Sequence, residues 1–286
     1  MQPFSLLPDR DAYRIKLPSQ TGSRLLSVAR TAIGLVVAGL MVGPALAANA
    51  KAYVGNFKDS TVSVIDTAVG SVIATLPVAA GPDGIVITPN GATVFVSGSG
   101  ASTVSVIDAA TDRVTQTIEV GKDPQGLAVS PDGRLLLVAV NTDDRVAFVD
   151  IAARTVTGTV ALAKPHTIAI RPDGRVAYVA AQEPGHFALV AIDLTTRMVI
   201  STVALDKPPR DLEFGFDGKA LYFTMAGVNA VQVLDPMSDK IVAEIPTAES
   251  LVCRCDTLCS QRHATARRNA SRATPLDLSA GARASA

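Results

Sequence analysis

Short apolar runs, each closed by a turn, recur along the middle of the chain, and residues 92–133 show the pattern step by step. Thr93-Val94-Phe95-Val96-Ser97 is apolar and β-branched, and Gly98-Ser99-Gly100 breaks it. Thr103-Val104-Ser105-Val106-Ile107 resumes with alternation, and Asp108 closes it. After a turn at Ala109–Asp112, alternation sets Val114, Ile118 and Val120 on one face and Thr115, Thr117 and Glu119 on the other. That is the period-two signature of an outer strand with one wet face. A turn at Gly121–Pro124 leads into Leu127-Ala128-Val129-Ser130 and then Pro131-Asp132-Gly133, which reads as a strand and a tight turn. The stretch predicts four antiparallel strands, with no room for a helix.

The same unit repeats. A phrase ending in aspartate occurs at Ser63–Asp66, Ser105–Asp108, Ala147–Asp150, Val190–Asp193 and Gln232–Asp235, at spacings of 42, 42, 43 and 42 residues. A second phrase keeps step at Pro89-Asn90-Gly91, Pro131-Asp132-Gly133, Pro172-Asp173-Gly174 and Phe216-Asp217-Gly218. A fixed period of this length marks a supersecondary unit that buries its faces against copies of itself. A helical repeat of similar length fails, because the apolar period is two and Thr, Val and Ile dominate. The expected fold is all-β: a β-propeller of four-stranded antiparallel blades, with about five blades present and an incomplete ring. Strand counting gives four full blades and three strands of a first. The repeats open at Ala52–Gly55 with what should be a blade's second strand. A closing lock would need a Pro-Asp-Gly-terminated strand at the far end, and none follows Ser250. A five-bladed ring with one incomplete blade and an open arc both fit, and an open arc would carry an unpaired edge.

Ala52-Tyr53-Val54-Gly55-Asn56, followed by Ser60-Thr61-Val62-Ser63-Val64-Ile65-Asp66-Thr67-Ala68, resembles the YVTN family of β-propeller repeats. The resemblance spans residues 50–250, closely in the first two repeats and more loosely in the fourth and fifth. It implies an exported bacterial or archaeal propeller, in rings of about seven blades. It also implies an association with periplasmic quinone- or haem-dependent oxidation systems.

The ends differ in composition from the repeats. Residues 1–47 read as an N-terminal extension and signal peptide. Arg24 and Arg30 precede an uncharged run from Thr31 to Gly43, and Pro44-Ala45-Leu46-Ala47 offers a small-x-small cleavage site. The apolar run is short for a membrane span, so no stable span is expected after cleavage. The expected location is periplasmic or secreted. Residues 48–250 hold the repeats. Residues 251–286 carry all three cysteines, Cys253, Cys255 and Cys259, and no apolar alternation. They read as a disordered tail or as an out-of-frame segment, which would make the chain a truncated, inactive product.

Charge excludes little else. Net charge is zero and charged residues make up 18%, with no basic stripe in the repeats, so nucleic acid is not an expected partner. No nucleophile elbow, phosphate loop or dinucleotide fingerprint appears, and no cofactor is expected. The Cys253, Cys255, Cys259 and His263 cluster lacks the paired spacing of a structural zinc site. The repeated aspartates Asp66, Asp108, Asp150, Asp193 and Asp235 are expected to cap turns, and Asp143-Asp144 to be a solvated turn. One row of residues stands apart. Asp83, Gln125, His166 and Arg210 each follow a proline at the opening of an innermost strand. Different polar groups at equivalent positions are how a symmetric scaffold makes an asymmetric site. They are the expected rim for a small ligand or protein partner at one mouth of the channel, although solvated loop positions would look the same. The leading functional expectation is therefore a non-enzymatic binding scaffold. The alternative is a redox accessory or haem- or quinone-linked enzyme, in which His166 would serve as axial ligand and Arg210 as carboxylate clamp.

Overall fold

A computed structural model describes residues 50–247. The extension, its cleavage site and the cysteine-bearing tail lie outside the described residues. Among the described residues there are strands and turns but no helix. Blade one is a three-stranded sheet of β1 (Lys51–Asn56), β2 (Thr61–Asp66) and β3 (Ser71–Pro77). Blade two holds β4 (Pro82–Ile87), β5 (Thr93–Gly98), β6 (Thr103–Asp108) and β7 (Arg113–Glu119). Blade three holds β8 (Pro124–Val129), β9 (Leu135–Val140), β10 (Arg145–Asp150) and β11 (Thr155–Ala161). Blade four holds β12 (Pro165–Ile170), β13 (Val176–Ala181), β14 (Ala188–Asp193) and β15 (Met198–Ala204). Blade five holds β16 (Pro209–Phe214), β17 (Leu221–Met225), β18 (Ala230–Asp235) and β19 (Lys240–Pro246). Every pairing is antiparallel, so the propeller of four-stranded blades is the observed fold; among the described residues, blade one has no inner strand. The longer spacing in blade four comes from the β13–β14 loop, residues 182–187, which contains His186.

The apolar alternation serves two faces, because each blade is sandwiched between its neighbours. Four hydrophobic clusters lie between consecutive blades. Tyr53, Val62, Val64, Val94 and Val96 join blades one and two. Phe95, Val106, Leu136 and Val138 join two and three. Leu137, Phe148, Val179 and Val190 join three and four, and Tyr178, Leu189, Leu221 and Phe223 join four and five. No corresponding cluster joins blade five to blade one among the described residues, so the arrangement is open.

The turns follow the chemistry of their residues. Asp108 Oδ1 accepts the backbone N–H groups of Ala110 and Thr111 and the Thr111 hydroxyl. Asp193 does the same with Thr195 and Thr196. Asp66, Asp150 and Asp235 also cap their turns. The outer strands depart from simple alternation. A bulge falls between Val106 and Ile107 of β6, where Ile107 pairs with Val114 but Val106 pairs with Gln116. The extra residue, Thr115, shifts the face by one. Ile118 therefore packs inside, while Val114 is 36% exposed on the other side. The same bulge recurs in all five blades.

Register also exposes a set of polar contacts between blades. The residue four after each capping aspartate has positive φ: Gly70, Asp112, Arg154, Arg197 and Asp239. Each of the last four reaches back to the preceding blade. Tyr53 Oη donates to Asp112 Oδ1 at 2.9 Å, and Tyr178 Oη donates to Asp239 Oδ1 at 2.6 Å. Where the tyrosine position is Phe95 or Leu137, the turn residue is arginine. Arg154 donates to Gln116 Oε1 at 3.1 Å. Arg197 donates to the Thr157 carbonyl oxygen at 2.8 Å and stacks 5.1 Å from the Phe148 ring centre. Tyrosine thus bonds to aspartate, and where an apolar residue replaces the tyrosine an arginine occupies the turn and bonds to the outer strand of the preceding blade.

Candidate functional site

Each inner strand opens with a proline that pairs with the second strand: Pro82 with Gly98, Pro124 with Val140, Pro165 with Ala181 and Pro209 with Met225. Regular pairing resumes three residues on, at Ile85, Leu127, Ile168 and Leu212. Asp83, Gln125, His166 and Arg210 are the first residues of these irregular segments, and all four are half-buried. Strand direction puts them at the end of the blades that also carries the β5–β6, β9–β10, β13–β14 and β17–β18 loops. The Pro-Asp-Gly and aspartate-capped turns lie at the opposite end.

Consecutive inner strands come very close here. A Cβ placed on Gly84 would overlap the Gln125 carbonyl oxygen, and one on Gly126 would overlap that of His166 and lie 2.7 Å from Thr167 Cα. Glycine is required because another backbone occupies the space a side chain would need. In blades four and five the matching residue is Thr167 or Asp211, and the Thr167 hydroxyl donates to the Arg210 carbonyl oxygen. The four expected rim residues thus sit on successive, touching strands in the order Asp83, Gln125, His166, Arg210.

A layer of side-chain bonds locks the strand openings. Ser97 Oγ accepts Gly84 N–H at 2.8 Å and donates to the Gln125 carbonyl oxygen at 2.5 Å. Asn141 Nδ2 donates to Pro165 O at 3.1 Å, and Gln182 Nε2 to Pro209 O at 2.5 Å. Asn141 and Gln182 escaped the sequence reading. Their signal is positional: each directly follows the second strand of its blade. Asp143 and Asp144 differ from the solvated turn expected of them. Asp143 accepts Lys122 N–H and pairs with Arg145 at 3.1 Å, while Asp144 accepts Lys164 N–H and pairs with Lys164 Nζ at 3.1 Å. They tie the strand links on either side, and the Lys164 contacts hold the Asp144 carboxyl below its ordinary range.

Gln125 presents an acceptor to this end of the blades. Its Nε2 points to the Asp123 carboxylate at 3.3 Å, while its Oε1 is buried without a hydrogen-bond partner among the described residues. A buried acceptor left unmade costs about 1–3 kcal/mol, so a donor arriving there would be favoured. Among the described residues, no group of three or more His, Cys, Asp or Glu could hold a metal ion.

In fold, the chain is similar to hydrazine synthase from Kuenenia stuttgartiensis, with TM-score 0.57 and 17% identity, over 69% of this chain and 84% of that one. It is also similar to the dihydro-heme d1 dehydrogenase NirN in complex with DHE, with TM-score 0.58 and 19% identity, over 70% of this chain. The similarity spans 44% of the NirN chain. At such identities the likeness shows the fold alone. No curated protein matches in sequence. A sequence model of the YNCE-like β-propeller matches residues 28–130 and 90–252, in keeping with the repeats and blades described above, and the chain belongs to that YNCE-like β-propeller family.

Proposed function

We propose that this propeller is an exported binding scaffold, acting in the periplasm or outside the cell, that takes a small ligand or protein segment at the mouth lined by Asp83, Gln125, His166 and Arg210. The observation that carries this reading is the buried Gln125 Oε1, which has no hydrogen-bond partner among the described residues, on a row of touching inner strands. The row offers an acid, an amide, an imidazole and a guanidinium, so it suits a ligand with both donors and acceptors. Export is supported by the apolar segment ending in Ala45-Leu46-Ala47, and the exported protein should begin at Ala48.

Binding is tested by pull-down and by a thermal-shift screen of small ligands. His166→Ala and Arg210→Ala should keep the wild-type far-UV circular dichroism and a cooperative unfolding transition, and should weaken binding. Unchanged binding in both variants would remove the rim from consideration. A redox accessory role is the second reading, motivated by the DHE complex of NirN. It requires that purified or haem-reconstituted protein absorb in the haem region and that His166→Ala abolish the signal.

A further inference from the structure

The second strand of each blade ends beside the link that leads in from the blade before. Pairing with the opening prolines aligns these end residues as Gly98, Val140, Ala181 and Met225. Three of the four places are filled. In blade two the link itself closes the space, since a Cβ on Gly98 would lie 2.6 Å from Ala79 Cβ. In blade five Met225 packs against the core between blades four and five. In blade three Val140 is joined by its strand partner, Arg145. Arg145 Nη2 donates to the Val120 carbonyl oxygen at 3.2 Å and lies 3.1 Å from Asp143 Oδ2. Blade four has alanine at both positions, Ala181 and its partner Ala188. A cleft of about 270 Å³ remains there, lined by both alanines, by Leu162 of the β11–β12 link and by Glu183 and His186 of the β13–β14 loop. Leu162 stands where Val120 stands one blade earlier: each N–H bonds to the carbonyl oxygen of the residue before a third strand, Asp144 or Ser102.

We propose that this cleft binds a small organic cation, an alkylguanidinium or alkylamine, that takes the place Arg145 holds one blade earlier. The alkyl stem lies over Ala181 and Ala188, and the charged group pairs with the Glu183 carboxylate as Arg145 pairs with Asp143. Charge complementarity names the occupant. Glu183 is exposed, and among the described residues it makes no ion pair. The His186 N–H bonds to the Glu183 carbonyl oxygen at 2.9 Å, closing the turn that carries both side chains. The size of the cleft fits a small molecule, since pockets for larger ligands run to about 300–1,000 Å³. None of the lining residues belongs to the row of Asp83, Gln125, His166 and Arg210, so this site does not depend on that one.

The test titrates the full chain, labelled with ¹³C at its alanine methyls, with butylguanidinium and butylamine, and with butanol and butyrate as neutral and anionic controls. The two cations should shift the Ala181 and Ala188 methyl signals to saturation, with a dissociation constant on the order of 1 mM, because the pair is part-solvated. Butanol and butyrate should bind at least about tenfold more weakly. Glu183→Gln changes an exposed residue and should weaken the cations about tenfold. Ala188→Arg, which restores the arginine of blade three, should abolish the shift at Ala181. His166→Ala and Arg210→Ala should leave cation binding unchanged. Equal binding of butanol, or of the cations to Glu183→Gln, would overturn the requirement for charge. Cation shifts that miss Ala181 and Ala188, or that disappear in the His166 or Arg210 variants, would overturn the site.

Discussion

Tyr178→Phe isolates one latch. The change removes only a hydroxyl and keeps the ring against Phe214, where the centroids are 5.8 Å apart at 65°. The lost bond is 2.6 Å long and runs to a carboxylate, a class that contributes about 1.5–3 kcal/mol. Asp239 is half-buried, so water compensates in part and the low end applies, about 1.5 kcal/mol. In a domain of this size that corresponds to a fall of about 3–6 °C in melting temperature. The chain has no tryptophan, so urea unfolding is followed by far-UV circular dichroism. Asp239→Asn is the matched partner, because asparagine tolerates the positive φ of 53° at that site. The double variant should show a coupling of about 1 kcal/mol. Tyr222→Phe is the control and should change stability by less than about 0.5 kcal/mol. Equal costs for Tyr178→Phe and Tyr222→Phe, or zero coupling in the cycle, would refute the latch.

Three further outcomes are expected. Burial, then the aspartate hydrogen bond, raises the Tyr53 and Tyr178 ionisations above the ordinary tyrosine value. The fold holds the neutral phenols, so their contribution is whole below about pH 10 and falls as pH rises further; the urea midpoint should drop there, and less steeply in the Tyr53→Phe/Tyr178→Phe variant. At the acid end, hydrogen bonds from Thr111, Thr196 and Ser238 lower the Asp108, Asp193 and Asp235 carboxyls. Their contribution is present above about pH 3.9 and is lost as pH falls through the depressed values, so replacing the three with Asn should flatten the acid limb of a stability–pH curve. Gly126→Ala drives a Cβ into the His166 backbone and should cost about 1–3 kcal/mol or more, with a urea midpoint unchanged from wild type counting against the close approach.

The blades were legible because turns need particular residues. Aspartates that cap backbone N–H groups, and glycines at positive φ such as Gly133 and Gly174, leave a spaced mark that survives drift elsewhere. The common end shared by Asp83, Gln125, His166 and Arg210 followed from the prolines that open the inner strands. Other features had no local mark. The bulge at Thr115 moved Val114 to the opposite face, yet Arg113–Glu119 reads as plain alternation. The latches join residues 59 and 61 apart, and they emerge only once the blades are aligned in register. Asn141 and Gln182 look like ordinary loop amides until the neighbouring strand's carbonyl is seen beside them.

The recurring bulge bears on solubility. Each outer strand has one hydrogen-bonding edge without a described partner, and several carry exposed aliphatic residues, among them Val72, Ile73, Val199, Ile200 and Val242. Flat, low-charge segments of this kind template cross-β stacking between molecules. A bulge in every blade twists that edge and spoils the even ladder of donors and acceptors an incoming strand would need. The irregularity that hid Val114 from the alternation is thus in a position to keep a crowded array of sticky margins from polymerising.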